Sequence, residues 1–162
     1  MTNIQENTRP APPIGQAVGQ TEASLTRLLS GILAESGTSR ETYLGLQRLT
    51  ALGGQATREA YERDLCDWLQ LDVPGARRLA AELVTAGLAA AGLAAAGGDA
   101  IGLTAQGRAL RERVLAASAK ITGPMLATID PTDLETTVRT LTEITRQVRA
   151  LPARPAAAED HR

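Results

Sequence analysis

The sequence predicts a mainly α-helical fold with one small β-hairpin, and three observations carry that expectation. Apolar residues recur every three or four positions along most of the chain, the spacing that lines one face of an α-helix. Between these segments lie residues that stop or cap helices, among them Ser36-Gly37-Thr38-Ser39, Gly53-Gly54 and Asp130-Pro131. Leu88 to Ala91 and Ile101 to Thr104, on either side of Gly97-Gly98-Asp99, read instead as short paired strands closed by a turn.

Residues 1–13 are polar and proline-containing and residues 152–162 are similar, so both ends are expected to be disordered tails. Ile14 to Glu35 is expected to be a helix with Ile14, Val18, Leu25, Leu28, Leu29, Ile32 and Leu33 on its apolar side. Arg40 to Leu52 carries Tyr43, Leu44, Leu46 and Leu49, and Thr57 to Leu69 carries Ala60, Tyr61, Leu65 and Trp68. Asp72 is placed to N-cap the next helix, Pro74 sits in its first turn where a missing N–H costs little, and Gly87 stops it. Ala76, Leu79, Ala80, Leu83 and Val84 share one face of that helix; Pro74, Arg77, Arg78 and Ala81 lie on or near the other.

Beyond the hairpin, Thr104 is placed to cap a helix from Ala105 to about Thr122, amphipathic through Leu110, Val114, Ala117 and Ile121. Gly123-Pro124 is expected to break or kink it before Met125, Leu126 and Ile129. In the last helix Thr132 and Glu135 are spaced as a capping box. Its apolar positions Leu134, Val138, Leu141, Ile144, Val148 and Leu151 step by four, three, three, four and three. So regular a stripe needs a surface to pack on, either the chain's own core or a second chain.

At 162 residues and 43% hydrophobic content, the chain can bury one proper core. No long apolar run free of charges and breakers occurs, and the first residues lack a charged-then-apolar signal pattern, so a soluble, cytoplasmic protein without membrane contact is expected. Cys66, the single cysteine, excludes an internal disulfide and fits a reducing compartment. Sixteen Arg stand against one Lys, a bias from which nothing functional follows.

The order of elements from Asp72 to Gly107, a helix followed at once by a hairpin and a second helix, is that of a winged helix-turn-helix. Within it, LAAELVTAGLA at 79–89 followed by IGLTAQGRAL at 101–110 resembles the MarR family of bacterial transcriptional regulators. There the recognition helix ends in a leucine, three variable residues and Gly-Leu, matched by Leu83, Gly87 and Leu88. The wing returns through an apolar-x-Leu-Thr-x-x-Gly segment, matched by Leu103, Thr104 and Gly107. The resemblance covers roughly residues 14–151, at the level of pattern.

The resemblance implies one domain over 14–151, with the winged helix-turn-helix at 57–104 and N- and C-terminal dimerisation helices at 14–35 and 105–151. It implies a homodimer, because two recognition helices about one DNA turn apart are needed to read a two-fold operator in double-stranded DNA. The expected function is transcriptional regulation, most simply as a repressor. Relatives of this kind often respond to phenolic or other aromatic effectors in a crevice between the dimerisation helices and the DNA-binding lobe. Binding there shifts the population between two separations of the recognition helices. With no Phe, one Trp and two Tyr, this chain has few rings to stack on a ligand. Tyr43, Trp68 and Met125 are the candidates for pocket or core, with core the better place for Trp68.

DNA contacts are expected from Pro74, Gly75, Arg77, Arg78 and Ala81 in the recognition helix, and from Arg58 on the phosphate backbone. Arg78 falls where the family often carries arginine. An arginine there can fork onto guanine or hold a phosphate, and the sequence leaves both open, beside the plain reading of two solvated arginines. The charges oppose DNA binding. The formal total is −1, and residues 57–104 carry four arginines against seven carboxylates. The wing departs from the family pattern, in which the tip usually holds an Asp and an Arg. Gly97, Gly98 and Asp99 provide the acid and no base. A MarR-like dimer without DNA binding, serving as an interaction or ligand-binding scaffold, is therefore the alternative.

Catalysis and metal binding find no support. No glycine-rich phosphate loop follows a strand, and the serines lack a base because the only His, His161, is in the tail. Asp64 and Asp67 read as a solvated helix face, and one His and one Cys far apart make no ligand cluster. In the resembled family, sensing cysteines sit in the first helix, whereas Cys66 lies beside Trp68 with acidic neighbours that disfavour a thiolate. It reads as a buried small residue. No cofactor is expected.

Overall fold

A computed structural model describes residues 13–93 and 98–151. The two expected tails and Gly97, like His161, lie outside the described residues, Pro13 excepted. Among the described residues the chain forms six helices and a three-stranded antiparallel sheet. It divides into two compact units, Met1–Ala119 and Lys120–Arg162.

The first unit holds α1 (Ile14–Glu35), α2 (Arg40–Ala51), β1 (Gln55–Thr57), α3 (Arg58–Leu69), α4 (Val73–Thr85), β2 (Ala89–Leu93), β3 (Asp99–Leu103) and the first part of α5 (Ala105–Leu126). Its helix boundaries follow the local chemistry. The Ser39 hydroxyl caps α2 by accepting the Thr42 N–H, Thr57 does the same for α3 through Ala60, and the Asp72 carboxylate caps α4 through Gly75. Gly87 continues the chain past α4 at φ +71°, a conformation open to glycine at no steric cost.

β1 was not expected. Gly53 and Gly54, at φ +86° and +82°, end α2 and redirect the chain, and Gln55–Thr57 then pairs with Ala100–Gly102. The Gly54 carbonyl accepts the Leu103 N–H at 2.8 Å. The wing is thus two strands of a sheet ordered β1-β3-β2, and Asp99 belongs to β3, paired with Leu93, instead of to the turn. A three-residue strand shows no alternation long enough to read from sequence.

The core gathers Leu46 and Leu49 of α2, Tyr61 and Leu65 of α3, Leu79, Ala80 and Leu83 of α4, Ile101 of β3, and Leu110 and Val114 of α5. Gly45 lets α2, α3 and α4 meet. A Cβ there would sit 3.1 Å from both the Leu83 side chain and the Tyr61 hydroxyl, which donates to the Gly45 carbonyl at 2.9 Å. Ile32 and Leu33 are buried at the end of α1, while Ile14, Val18 and Leu25 along the same helix are exposed.

Thr104 fastens α5 to the hairpin. Its hydroxyl donates to the Gly87 carbonyl at 2.7 Å, lies 3.0 Å from the Leu88 carbonyl, and accepts the Gly107 N–H at 3.0 Å. At Gly107 a side chain is impossible without movement, because a Cβ would run into the Leu88 carbonyl. The Leu-Thr-x-x-Gly segment is therefore a packing device: a hydroxyl that joins helix to strand, and a glycine that lets the two touch.

α5 continues unbroken through Gly123-Pro124 to Leu126, so the expected interruption does not occur. Pro124 stands two residues before the helix end, where its missing N–H removes one bond, and Ala127 donates to Gly123 beyond it at 2.9 Å. In the second unit α6 (Pro131–Ala150) is capped by Asp130, whose carboxylate accepts the Thr132 N–H at 2.7 Å; Thr132 is not the cap. Pro131 takes the first helical position, which moves the cap two residues earlier than the capping-box spacing implies. None of α6 is buried, and Val138, Leu141, Ile144, Val148 and Leu151 are all exposed.

Candidate nucleic-acid interface

The open face of α4 follows from its amphipathicity. Ala76, Leu79, Ala80 and Leu83 are buried against α2, α3 and the sheet, which leaves Pro74, Arg77, Arg78 and Ala81 exposed. Gly75 differs from the other residues named for this face. It is buried, and a Cβ there would lie 2.7 Å from Asp72 Oδ1 and 3.8 Å from Arg78 Nη2. Its place is to let the Asp72 cap and the Arg78 guanidinium close over the start of the helix.

Gln70, at φ 55°, is the residue that turns the chain from α3 toward α4, and its side chain donates to the Asp67 carbonyl at 2.9 Å. The start of α3, the front of α4 and the end of the wing then border one concave space of about 630 Å³. Thr57, Arg58, Glu59, Glu62, Arg77, Gly98 and Asp99 line it. Four residues named from sequence as DNA or wing positions, Arg58, Arg77, Gly98 and Asp99, are thus brought together, with Gly98 at φ +91°.

Its electrostatics centre on Glu62. Arg77 Nε donates to Glu62 Oε2 at 3.4 Å, and Arg58 Nη1 lies 3.8 Å from Oε1, so one carboxylate stands between both arginines. Glu59 is drawn toward Arg63, at 2.7 Å. Arg78 is the freest cation of this face: among the described residues no carboxylate lies within ion-pair distance of it. The Arg58–Glu62 spacing of four is visible in the sequence; the Arg77–Glu62 contact, across two helices, is not.

The residues named for pocket or core differ in burial. Tyr43 is buried in the core, where its hydroxyl accepts from Gln47 at 2.7 Å, and Gln47 in turn accepts from Arg111 at 2.6 Å. Met125 is exposed in the second unit. Trp68, expected in the core, is 46% exposed, with the Arg48 guanidinium 4.1 Å over its ring. It borders a groove of about 560 Å³ together with Arg40, Leu44, Gln47, Arg48 and Leu71.

Asp64 is not solvated as expected, for it forms a two-pronged pair with Arg48 and its side chain is 13% exposed. Cys66 is half-buried against the core. Among the described residues no group of His, Cys, Asp and Glu is placed to hold a metal, and no helix is long and apolar enough to cross a membrane.

The exposed helix α4, flanked by the capped helix α3 and a hairpin wing, defines a winged helix-turn-helix. No protein-family model matches the chain, and no curated protein matches it either. Solved structures do, several of them MarR-family proteins. One from Silicibacter pomeroyi superposes with a TM-score of 0.70 at 19% identity, over 83% of this chain and 88% of its own. Another, from Bacillus stearothermophilus, gives 0.69 at 17% identity, over 83% and 92%. CouR from Rhodococcus jostii RHA1, bound to p-coumaroyl-CoA, gives 0.66 at 17%, over 88% and 95%. The chain therefore has the fold of the MarR-family regulators.

Proposed function

We infer that this protein is a MarR-type regulator, a single functional domain over residues 14–151, that binds a two-fold DNA operator as a homodimer and represses transcription. The observation that carries the reading is the exposed face of α4, where Pro74, Arg77, Arg78 and Ala81 stand on a well-packed helix and Arg77 lies with the wing residues Gly98 and Asp99. A helix presented this way fits the major groove, and Arg58 at the start of α3 is suited to a flanking phosphate.

The dimer is supported by α6, whose apolar stripe is exposed from Val138 to Leu151, and by the exposed apolar residues of α1. A second copy is the partner that a two-fold operator requires. Ligand-bound relatives such as CouR with p-coumaroyl-CoA support release by a small molecule, as does a regulator solved with 2,4-dichlorophenol. The role is regulatory, and a cytoplasmic location accords with it.

Carboxylates at the interface favour a second reading, a MarR-like dimer that serves as a scaffold without DNA. Fluorescence titration of DNA from around the protein's own gene, at low and moderate salt, decides between them. Specific binding supports the regulator; none at low salt supports the scaffold.

A further inference from the structure

We propose that Glu62 sets the sequence discrimination of this interface, holding Arg77 in a reading posture while its charge suppresses indiscriminate binding. The proposal rests on the reading of α4 as a recognition helix. Glu62 engages Arg77 through Nε alone, so the two terminal nitrogens of the guanidinium give no hydrogen bond to Glu62, on a side chain that is 69% exposed. Those two nitrogens can make the forked pair of hydrogen bonds to guanine O6 and N7. The Glu62 side chain is itself only 15% exposed, so the anchor is a fixed group on α3.

The same carboxylate acts on the phosphates. A backbone entering the concavity beside Arg58 and Arg77 meets Glu62 and Asp99 as well, so much of the counterion release that the arginines provide is cancelled. Every DNA sequence meets this repulsion. Only a sequence that presents the correct base edge to the oriented Arg77 recovers the loss.

Two variants separate the two effects. Glu62→Gln removes the charge and keeps an oxygen that can accept from Arg77; Glu62→Ala removes both. The measurement is anisotropy of labelled duplexes, one from upstream of the protein's own gene and one of random sequence, across a salt series. Circular dichroism and sedimentation check that fold and assembly are unchanged. Glu62→Gln is expected to tighten both duplexes about three- to tenfold, with a steeper salt dependence and a conserved ratio between them. With Glu62→Ala the random duplex tightens likewise, but the ratio falls by about fivefold or more.

If the wild type discriminates and both variants match it, or if either variant weakens random-sequence binding, the role of Glu62 is overturned and the DNA reading stands. Should neither wild type nor variants bind any duplex, the DNA reading falls and takes this proposal with it.

Discussion

Arg48 and Asp64 are joined by two parallel hydrogen bonds, Nε to Oδ2 and Nη2 to Oδ1, both 2.8 Å, with the Arg48 guanidinium lying over the Trp68 ring. The pair ties α2 to α3. Both side chains are largely covered, and the fork fixes orientation as well as charge, so it contributes more than a surface pair. Asp64→Asn is expected to cost about 1–3 kcal/mol in urea unfolding. Trp68, the sole tryptophan, should report the change in its emission. Unaltered stability would show that the pair is ornamental.

Tyr61 predicts an alkaline limit to stability. Burial, with the Asp64 charge assisting, holds its phenol well above its ordinary value of 10.0. The unfolded chain therefore loses this proton at a pH where the folded chain keeps it. The stabilisation is complete below about pH 10 and declines above, by at most about 1.4 kcal/mol per pH unit. Unfolding midpoints measured from pH 8 to 11 should fall for the wild type, and Tyr61→Phe should flatten that part of the decline. An equal decline in the variant would assign it to other groups.

Thr104 and Gly107 act as one joint. Thr104→Ala loses the cap and the bond to Gly87 and is expected to cost about 1–2 kcal/mol. Gly107→Ala, which must push α5 off the Leu88 carbonyl, is expected to cost more, about 2–4 kcal/mol. Thermal unfolding ranks the two; a tolerated alanine at 107 would contradict the packing.

These residues also show how far the sequence could be read. The caps at Asp72 and Thr104 act within three residues of themselves, so spacing locates them, whereas the hold of Thr104 and Gly107 on Gly87 and Leu88 reaches far back in the chain, where spacing shows nothing. The burial of Gly75 and the exposure of Trp68 are not legible in the sequence, because their surroundings come from Asp72 and Arg78 near one and from Arg48 of a neighbouring helix stacking on the other. The contact of Glu62 with Arg77 is illegible in the sequence for the same reason: it joins two helices that only the turn at Gln70 brings together.

Assembly should depend on the α6 stripe. Sedimentation at micromolar concentration is expected to show a dimer for the wild type. Placing charges on it by Leu141→Asp with Ile144→Asp should yield a folded monomer. A wild-type monomer would remove the basis for a two-fold operator.

The central claim is that the exposed face of α4 reads DNA through Arg77 and Arg78, and the direct measurement compares the wild type with Arg77→Ala/Arg78→Ala. Both are titrated into DNA from around the protein's own gene. The account predicts specific binding by the wild type and, for the double variant, a loss of about a hundredfold or more with the sedimenting species unchanged. Equal binding by the two proteins would contradict it.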